Sequence, residues 1–323
     1  IKYKRIRQKC TKMSKALKKY EKKQKRIRIN GVFYAVISSA SFGFSPLFSL
    51  CLIAAGLTNF DVLSYRWATA AIVLMVYAAC KKKTLRLTSF DEVWKVVLLS
   101  ALRSITAITL LIGYENIASG IASTINFMYP VVVALSMMIF FGEHKSPADI
   151  ISILVSIFGV YLLASGDGIS VEGGNTTLGL ICSIISALSF AAYYIVMKRT
   201  KADKIEVVKF TTWIMILSAL YFIVCGLIFD GRLTIVTDGR QWLYIAGLGL
   251  WSTMVSNFTG VKAVRRIGPT FTSILGALQP LTAVVLGAIF LDEHFGIKTI
   301  IGIVLIMVTV MFTVAHKHTA KNH

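Results

Sequence analysis

The strongest constraint in this chain is the length of its charge-free runs. Gly31 to Phe60 contains no Asp, Glu, Lys or Arg, and the same holds from Asn116 to Gly142, Gly173 to Met197 and Ile267 to Leu291. Each run exceeds the ~20 residues that cover ~30 Å of hydrocarbon at a rise of ~1.5 Å per residue. A helix buried in a soluble core is rarely so long and so apolar on every face. The fold expected is therefore all-α and integral to a membrane, because lipid offers no partner for an unpaired backbone N–H or C=O.

Charged punctuation divides the sequence into ten expected spans: 31–56, 61–80, 92–115, 119–142, 148–166, 178–198, 206–229, 240–262, 268–291 and 297–315. The bulk numbers agree. Only 15% of residues are charged and the mean hydropathy is +0.71, against roughly 25% charged in soluble domains. The net charge of +20 is concentrated: residues 1–30 hold fourteen of the 35 Lys and Arg and a single acid, Glu21. Beside a membrane span, such a basic tail suits anionic lipid at the leaflet surface better than nucleic acid. No secretory signal is evident, and Met13 offers an alternative start. The short loops after spans two, four, six and eight carry Lys81–Lys83 and Arg86, Lys145, Lys198–Lys204 and Lys262–Arg266. Most loops on the other side carry none, which places both termini in the cytoplasm. The membrane expected is the plasma (inner) membrane. Five scattered cysteines form no CxxC pair and read as packing residues.

An internal repeat organises these spans. IASTINFMYPVVVALSMMIFFGEH ends at His144, and FTSILGALQPLTAVVLGAIFLDEH ends at His294. At this offset Ser123 falls on Ser273, Pro130 on Pro280, and Glu143–His144 on Glu293–His294. The first spans of the halves also align. Ala35, Ser39 and Gly43 fall on Ser183, Ala187 and Ala191, a small-residue stripe at helical spacing that lets backbones approach closely. Five spans per half is an odd number, so the second half must enter the membrane upside down. The organisation expected is a basic tail at 1–30, a first five-helix repeat at 31–166, a linker at 167–177, an inverted second repeat at 178–316 and a tail at 317–323. Inverted repeats place solute sites near the midplane between halves.

The segments SASFGFSPLFS, SYRW, GIASTINFMYPVVVAL and ILGALQPLTAVVLGAIFLDEH resemble those of EamA-type members of the drug/metabolite transporter superfamily. That resemblance implies a five-plus-five helix transporter of small metabolites such as amino acids, with a cavity between spans one, three, four, six, eight and nine. A passive channel is the alternative. No HExxH, P-loop or GxSxG motif is present, so no enzyme is expected, nor any cofactor or metal.

The cavity candidates are mid-depth polar, aromatic and proline residues: Asn126, Tyr129, Pro130, Tyr193, Tyr194, Trp251, Asn257, Gln279 and Pro280. Proline frees the carbonyl four residues back, and buried Asn and Gln are costly against lipid. At span ends, Glu143–His144 and Glu293–His294 read as helix caps or gates. Inversion keeps the two pairs from converging on one metal. Arg66 lies near one end of span two, within expected reach of Glu115. Arg103 is the sharpest candidate. It lies at the centre of span three, where an arginine costs roughly 2.5–3.5 kcal/mol. The fifteen acids all lie in the tail, in loops or near span ends. Its partners are expected to be carbonyls, amides or water, or else a carboxylate or phosphate on an anionic or zwitterionic solute.

Overall fold

The computed structural model describes residues 25–26, 29–140, 147–166 and 168–321. The basic tail apart from Lys25, Arg26, Ile29 and Asn30 lies outside the described residues, as do Met13, Glu143 and His144. The described chain is helical, with one isolated bridge between Ile117 and Ser170. In chain order the helices are α1 (29–43), α2 (Ser45–Ala54), α3 (Asn59–Cys80), α4 (Phe90–Asn116), α5 (Ser119–Asn126), α6 (Tyr129–Phe140), α7 (Pro147–Ala164), α8 (Thr176–Arg199), α9 (Val207–Phe229), α10 (Gly239–Ala246), α11 (Ser256–Leu275), α12 (Leu278–Phe290) and α13 (Ile297–Lys321). Among the described residues seven helices are long and apolar enough to cross a membrane. They cover Ile29–Ala54, Asn59–Cys80, Phe90–Asn116, Ser119–Phe140, Thr176–Arg199, Val207–Phe229 and Ile297–Val314. Two shorter apolar helices cover Ile150–Ala164 and Leu278–Phe290.

Local chemistry sets the starts. Thr58 and Asp61 form a capping box on α3, Ser89 accepts from Glu92 N on α4, and Asn175 accepts from Leu178 N on α8. Each satisfies a backbone N–H that the first helical turn leaves without a partner.

Three expected spans are broken, each at a proline. Phe44 interrupts the first, and Pro46 follows in the first turn of α2. Phe127 and Met128 divide α5 from α6 ahead of Pro130, and Gly276 and Ala277 divide α11 from α12 ahead of Pro280. A proline has no N–H to return to the preceding turn, so the helix restarts with the proline near its beginning. Between α10 and α11 a π-helix runs from Gly247 to Val255. The structure departs from the expected boundaries here, because helix continues from Ser256 to Leu275 across the loop expected at 263–267. Lys and Arg are good helix formers and do not themselves end a helix. Likewise α13 extends to Lys321, past the expected end at 315.

The small-residue stripes carry the tight packing. Ala35 and Ser39 are buried in α1. A Cβ on Gly43 would lie 2.5 Å from Thr282 Cβ and 2.8 Å from the Gln279 carbonyl. In α8 Ser183, Ala187 and Ala191 are buried, and a Cβ on Gly113 of α4 would lie 2.7 Å from Ser183 Oγ. Serines then join helices through their backbones. Ser38 Oγ donates to the Ser256 carbonyl at 2.7 Å, and Ser256 Oγ donates to the Ser38 carbonyl at 2.8 Å, tying α1 to α11. Ser189 Oγ donates to the Leu102 carbonyl at 2.8 Å, tying α8 to α4. At one end of the bundle Lys209 joins Glu92 at 2.9 Å and Lys83 joins Glu206 at 3.2 Å.

Candidate functional site

Arg66 and Trp67 are neighbours on α3, and both are buried. Arg66 Nη1 donates to Ser45 Oγ of α2 at 2.8 Å, and Nε donates to Thr253 Oγ1 at 3.0 Å. Thr253 belongs to the π-helix and donates in turn to the Leu248 carbonyl, five residues back, at 2.9 Å. The guanidinium carbon also lies 5.6 Å from the Phe42 ring centre and 5.7 Å from that of Trp67. Arg66 therefore does not pair with Glu115. Glu115 accepts from Asn59 Nδ2 at 2.6 Å instead. The expectation followed position along the helix; the fold offers Arg66 two hydroxyls from other helices at close range.

Arg103 projects from the middle of α4 over Phe190 of α8, its guanidinium carbon 4.5 Å from the ring centre, and stands 5.8 Å from that of Trp67. The two arginines line one pocket with Phe42, Ser49, Trp67, Thr106, Ala107, Leu110, Leu111, Tyr114, Asn126 and Phe190. Its water-accessible volume is about 20 Å³, room for about one water molecule, so a solute enters only as the pocket widens. Asn126 closes one wall at the end of α5. Ser186 Oγ lies 2.9 Å from its Oδ1 and 3.0 Å from the Thr106 carbonyl, sharing one proton between them. Ion pairs among the described residues are Lys83–Glu206, Lys95–Asp91 and Lys209–Glu92, and none involves either arginine.

Beside the pocket Phe190 leads into an aromatic cluster. Its ring centre is 4.6 Å from Tyr129 and 5.0 Å from Tyr194, and Tyr129 stacks on Tyr194 at 5.2 Å. Tyr193 meets Tyr194 edge-on at 5.4 Å. The expected tyrosines are thus gathered at one place, one layer behind the pocket wall.

The remaining candidates lie elsewhere. Pro130 is half-buried at the start of α6, and Pro280 is buried in α12. The Gln279 carbonyl faces Gly43 of α1. Asn257 donates to the Thr253 carbonyl of its own helix at 2.6 Å. Trp251 departs from expectation: it is 48% exposed on the outside of the bundle and does not line the pocket. It sits in the π-helix, and its mid-depth position along the span did not fix which face its side chain takes.

Glu293 lies between α12 and α13 and caps the start of α5. Its carboxylate accepts from Ser119 N at 2.6 Å and Gly120 N at 3.3 Å. An anion at a helix N-terminus meets both the unpaired N–H groups and the positive end of the dipole. Burial raises its pKa above the ordinary glutamate range, while the Ser119 and Gly120 bonds act the other way. His294 beside it is exposed, and its carbonyl lies against Gly168, whose φ of +81° suits only glycine there.

Sequence reading missed Ser45, Ser49, Phe42, Trp67, Phe190 and Thr253 as parts of the site. The signal available for four of them was membership of SASFGFSPLFS and SYRW. Phe190 falls on Phe42 where the first spans of the two halves align, and Thr253 carried no signal of its own.

Comparison with known proteins adds a family pattern. The model of the EamA-like transporter family matches residues 29–165 and, a second time, residues 177–315. The uncharacterized transporter YvbV of Bacillus subtilis is 24% identical, over 76% of this chain and 79% of its own length. The protein PecM of Dickeya dadantii is 22% identical, over 66% of this chain and 71% of its own. A WAT1-related protein of Arabidopsis thaliana is 22% identical, over 84% and 81%. A crystal structure with 14% identity superposes with a TM-score of 0.61, covering 89% of this chain and 96% of that one, which speaks to fold alone.

Proposed function

This chain belongs to the EamA-like transporter family, and we propose that it carries small metabolites across the plasma membrane by alternating access around the Arg66–Arg103 pocket. That it is a multi-pass membrane transporter follows from the family and from the seven apolar helices. Beyond that, one observation carries the proposal: the pocket is held by both halves of the sequence. Arg66 and Arg103 come from the first half, whereas Phe190 and the Thr253 hydroxyl that holds Arg66 come from the second. If the halves rock against each other, the pocket is the place that opens.

The frame proposed is ten spans as two inverted five-helix repeats with both termini cytoplasmic. The double family match, the paired breaks before Pro130 and Pro280, and the pairing of α1 with α11 and of α8 with α4 support it. The broken helices supply places where the bundle can bend without unfolding. Single cysteines at Asn175 and Lys201 are expected to label from opposite faces, Lys201 from the cytoplasm. Labelling from one face would sink the inverted arrangement.

Transport itself is tested by counterflow. A metabolite-release comparison of cells with and without the protein nominates a solute, and proteoliposomes preloaded with it are then assayed. Saturable uptake with trans-stimulation is expected. Unsaturable flux without trans-stimulation identifies a passive channel instead.

A further inference from the structure

Resting on the reading of this pocket as the solute site, we propose that the solute is a net organic anion, with an oxyanion head set among Arg66, Arg103, Trp67 and Ser49 and an apolar body against Leu110 and Leu111.

The charge balance of the pocket comes first. Two guanidiniums line it, and none of its lining residues is an acid. None of the ion pairs among the described residues reaches it. Both guanidinium carbons lie within 6 Å of the same indole ring, and both side chains line the same pocket. A buried guanidinium, Arg66, and a half-buried one, Arg103, without a counter-ion among the described residues are costly in a low-dielectric setting, and an anion entering there removes that cost.

A second, independent observation concerns donors. Trp67 Nε1 and Ser49 Oγ belong to residues that line the pocket, and both are without a hydrogen-bond partner among the described residues. Trp67 is 3% exposed and Ser49 1%, so water outside the protein does not satisfy them. An indole N–H can only donate, and leaving a buried donor unmet costs about 1–3 kcal/mol. The residues lining the pocket therefore carry the Arg103 guanidinium, the N–H groups of Arg66 not already given to Ser45 and Thr253, a buried indole N–H and a buried hydroxyl: a set of donors in want of acceptors. Carboxylate and phosphate oxygens are acceptors with several lone pairs each, and they match guanidinium in shape as well as charge.

The same inventory excludes other classes. An ammonium group would find no carboxylate in the pocket. Of the four aromatic residues in the lining that could hold it instead, Phe42, Trp67 and Phe190 already have guanidiniums beside their rings, which leaves Tyr114 alone. A neutral zwitterionic amino acid thus satisfies half of itself and strands the other half. Ala107, Leu110 and Leu111 supply the apolar wall for the remainder of the solute, which separates an organic anion from bare inorganic phosphate.

The test uses the full chain purified in detergent and three probes with closely matched phenyl-bearing bodies. These are 3-phenylpropionate, phenylalanine and phenethylamine, respectively anion, zwitterion and cation, titrated calorimetrically. The anion is expected to bind at least about tenfold more tightly than the other two. Phenyl phosphate compares the two oxyanion heads, and inorganic phosphate alone is expected to bind about tenfold more weakly than phenyl phosphate. Arg103→Gln, confirmed as folded by its melting temperature and monodispersity, should weaken the preferred anion about tenfold or more, and Arg103→Lys should lose less. Trp67→Phe removes only the indole donor and should cost a few-fold. The proposal is overturned if phenylalanine or phenethylamine binds as tightly as the acid, if no anion of the panel binds, or if folded Arg103→Gln keeps the original affinity. Inorganic phosphate binding as well as phenyl phosphate would overturn the apolar-body part. Failure here leaves counterflow of another solute class intact. An anion that binds but shows no flux would fault the transport reading and leave the solute class standing.

Discussion

The two halves of this chain share their frame and differ in their charge. Both break a helix just before a proline, Pro130 in one and Pro280 in the other. Both use a buried stripe of small residues to bring backbones together, Ala35, Ser39 and Gly43 in one and Ser183, Ala187 and Ala191 in the other. Yet the first half brings two arginines to the pocket, Arg66 of α3 and Arg103 of α4, whereas no charged residue of the second half lines it. Repetition therefore accounts for the scaffold and for the paired Phe42 and Phe190 of the pocket, and the unrepeated residues account for its charge. A symmetric frame can hold an asymmetric site, because the frame needs only small residues and breaks at corresponding places.

The largest effect expected is at the unrepeated charge. Arg66→Leu removes a guanidinium that joins α2, α3 and the π-helix through Ser45 and Thr253. Flux in proteoliposomes should fall roughly a hundredfold, the scale of losing a buried charged contact. Flux retained in a folded Arg66→Leu protein would erase the functional difference between the halves. Next comes the frame. Gly43→Ala drives a Cβ to 2.5 Å from Thr282 Cβ, and should destabilise by about 1–3 kcal/mol in thermal or denaturant unfolding. The corresponding Ala191→Gly should cost only about 1 kcal/mol through helix propensity. Equal losses would mean that the stripes are packed alike.

How far the sequence revealed this difference depends on the kind of interaction. The proline breaks were legible because the missing N–H is a local property of one residue. The stripes were legible because small residues at helical spacing have few other uses in lipid. Arg103 stood out because a central charge is costly wherever it faces. The partner of Arg66 was not legible: Thr253 lies 187 residues away in sequence, and a hydroxyl carries no signal until the fold places it. Phe42 and Phe190 were hidden for a different reason, since an aromatic ring in an apolar span looks the same whether it faces lipid or a guanidinium. Trp251 was misplaced because mid-depth along a span does not say whether a ring faces the interior or the outside.

A smaller effect is expected at Glu293, which caps α5 from the turn before α13. Its raised pKa sets the sign. Between the ordinary glutamate value and the higher folded one, the folded protein holds a proton that the unfolded chain has released, so stability falls as pH rises through that window. Below it, both states are protonated and the loss is absent. Glu293→Gln should abolish this slope while keeping an acceptor for Ser119 N. Melting curves recorded across that window decide it, and an unchanged slope would place the titration elsewhere. The smallest effect belongs to a charge of the second half that lies away from the pocket. Lys209→Gln breaks the pair with Glu92 near the end of the bundle and should cost about 1 kcal/mol or less, with flux nearly unaltered. A loss of flux comparable to that of Arg66→Leu would dissolve the contrast between the halves.

The π-helix at Gly247–Val255 acts as a phase shift within one continuous rod. Everything before it and everything after it is wound on the ordinary α-helical pitch, but the two stretches are out of step, as the five-residue reach of Thr253 to Leu248 records. Deleting one residue between Gly247 and Val255 would draw this stretch back toward α-helical winding, and each residue removed from an α-helix rotates the downstream part of the helix by about 100°. Ser256 would then turn away from Ser38, and Lys262 would leave the Tyr34 ring it now approaches to 5.3 Å. The extra winding thus sets two angular positions on one helix independently: Thr253 toward Arg66, and Ser256 toward α1. An evenly wound helix could satisfy one of them but not both.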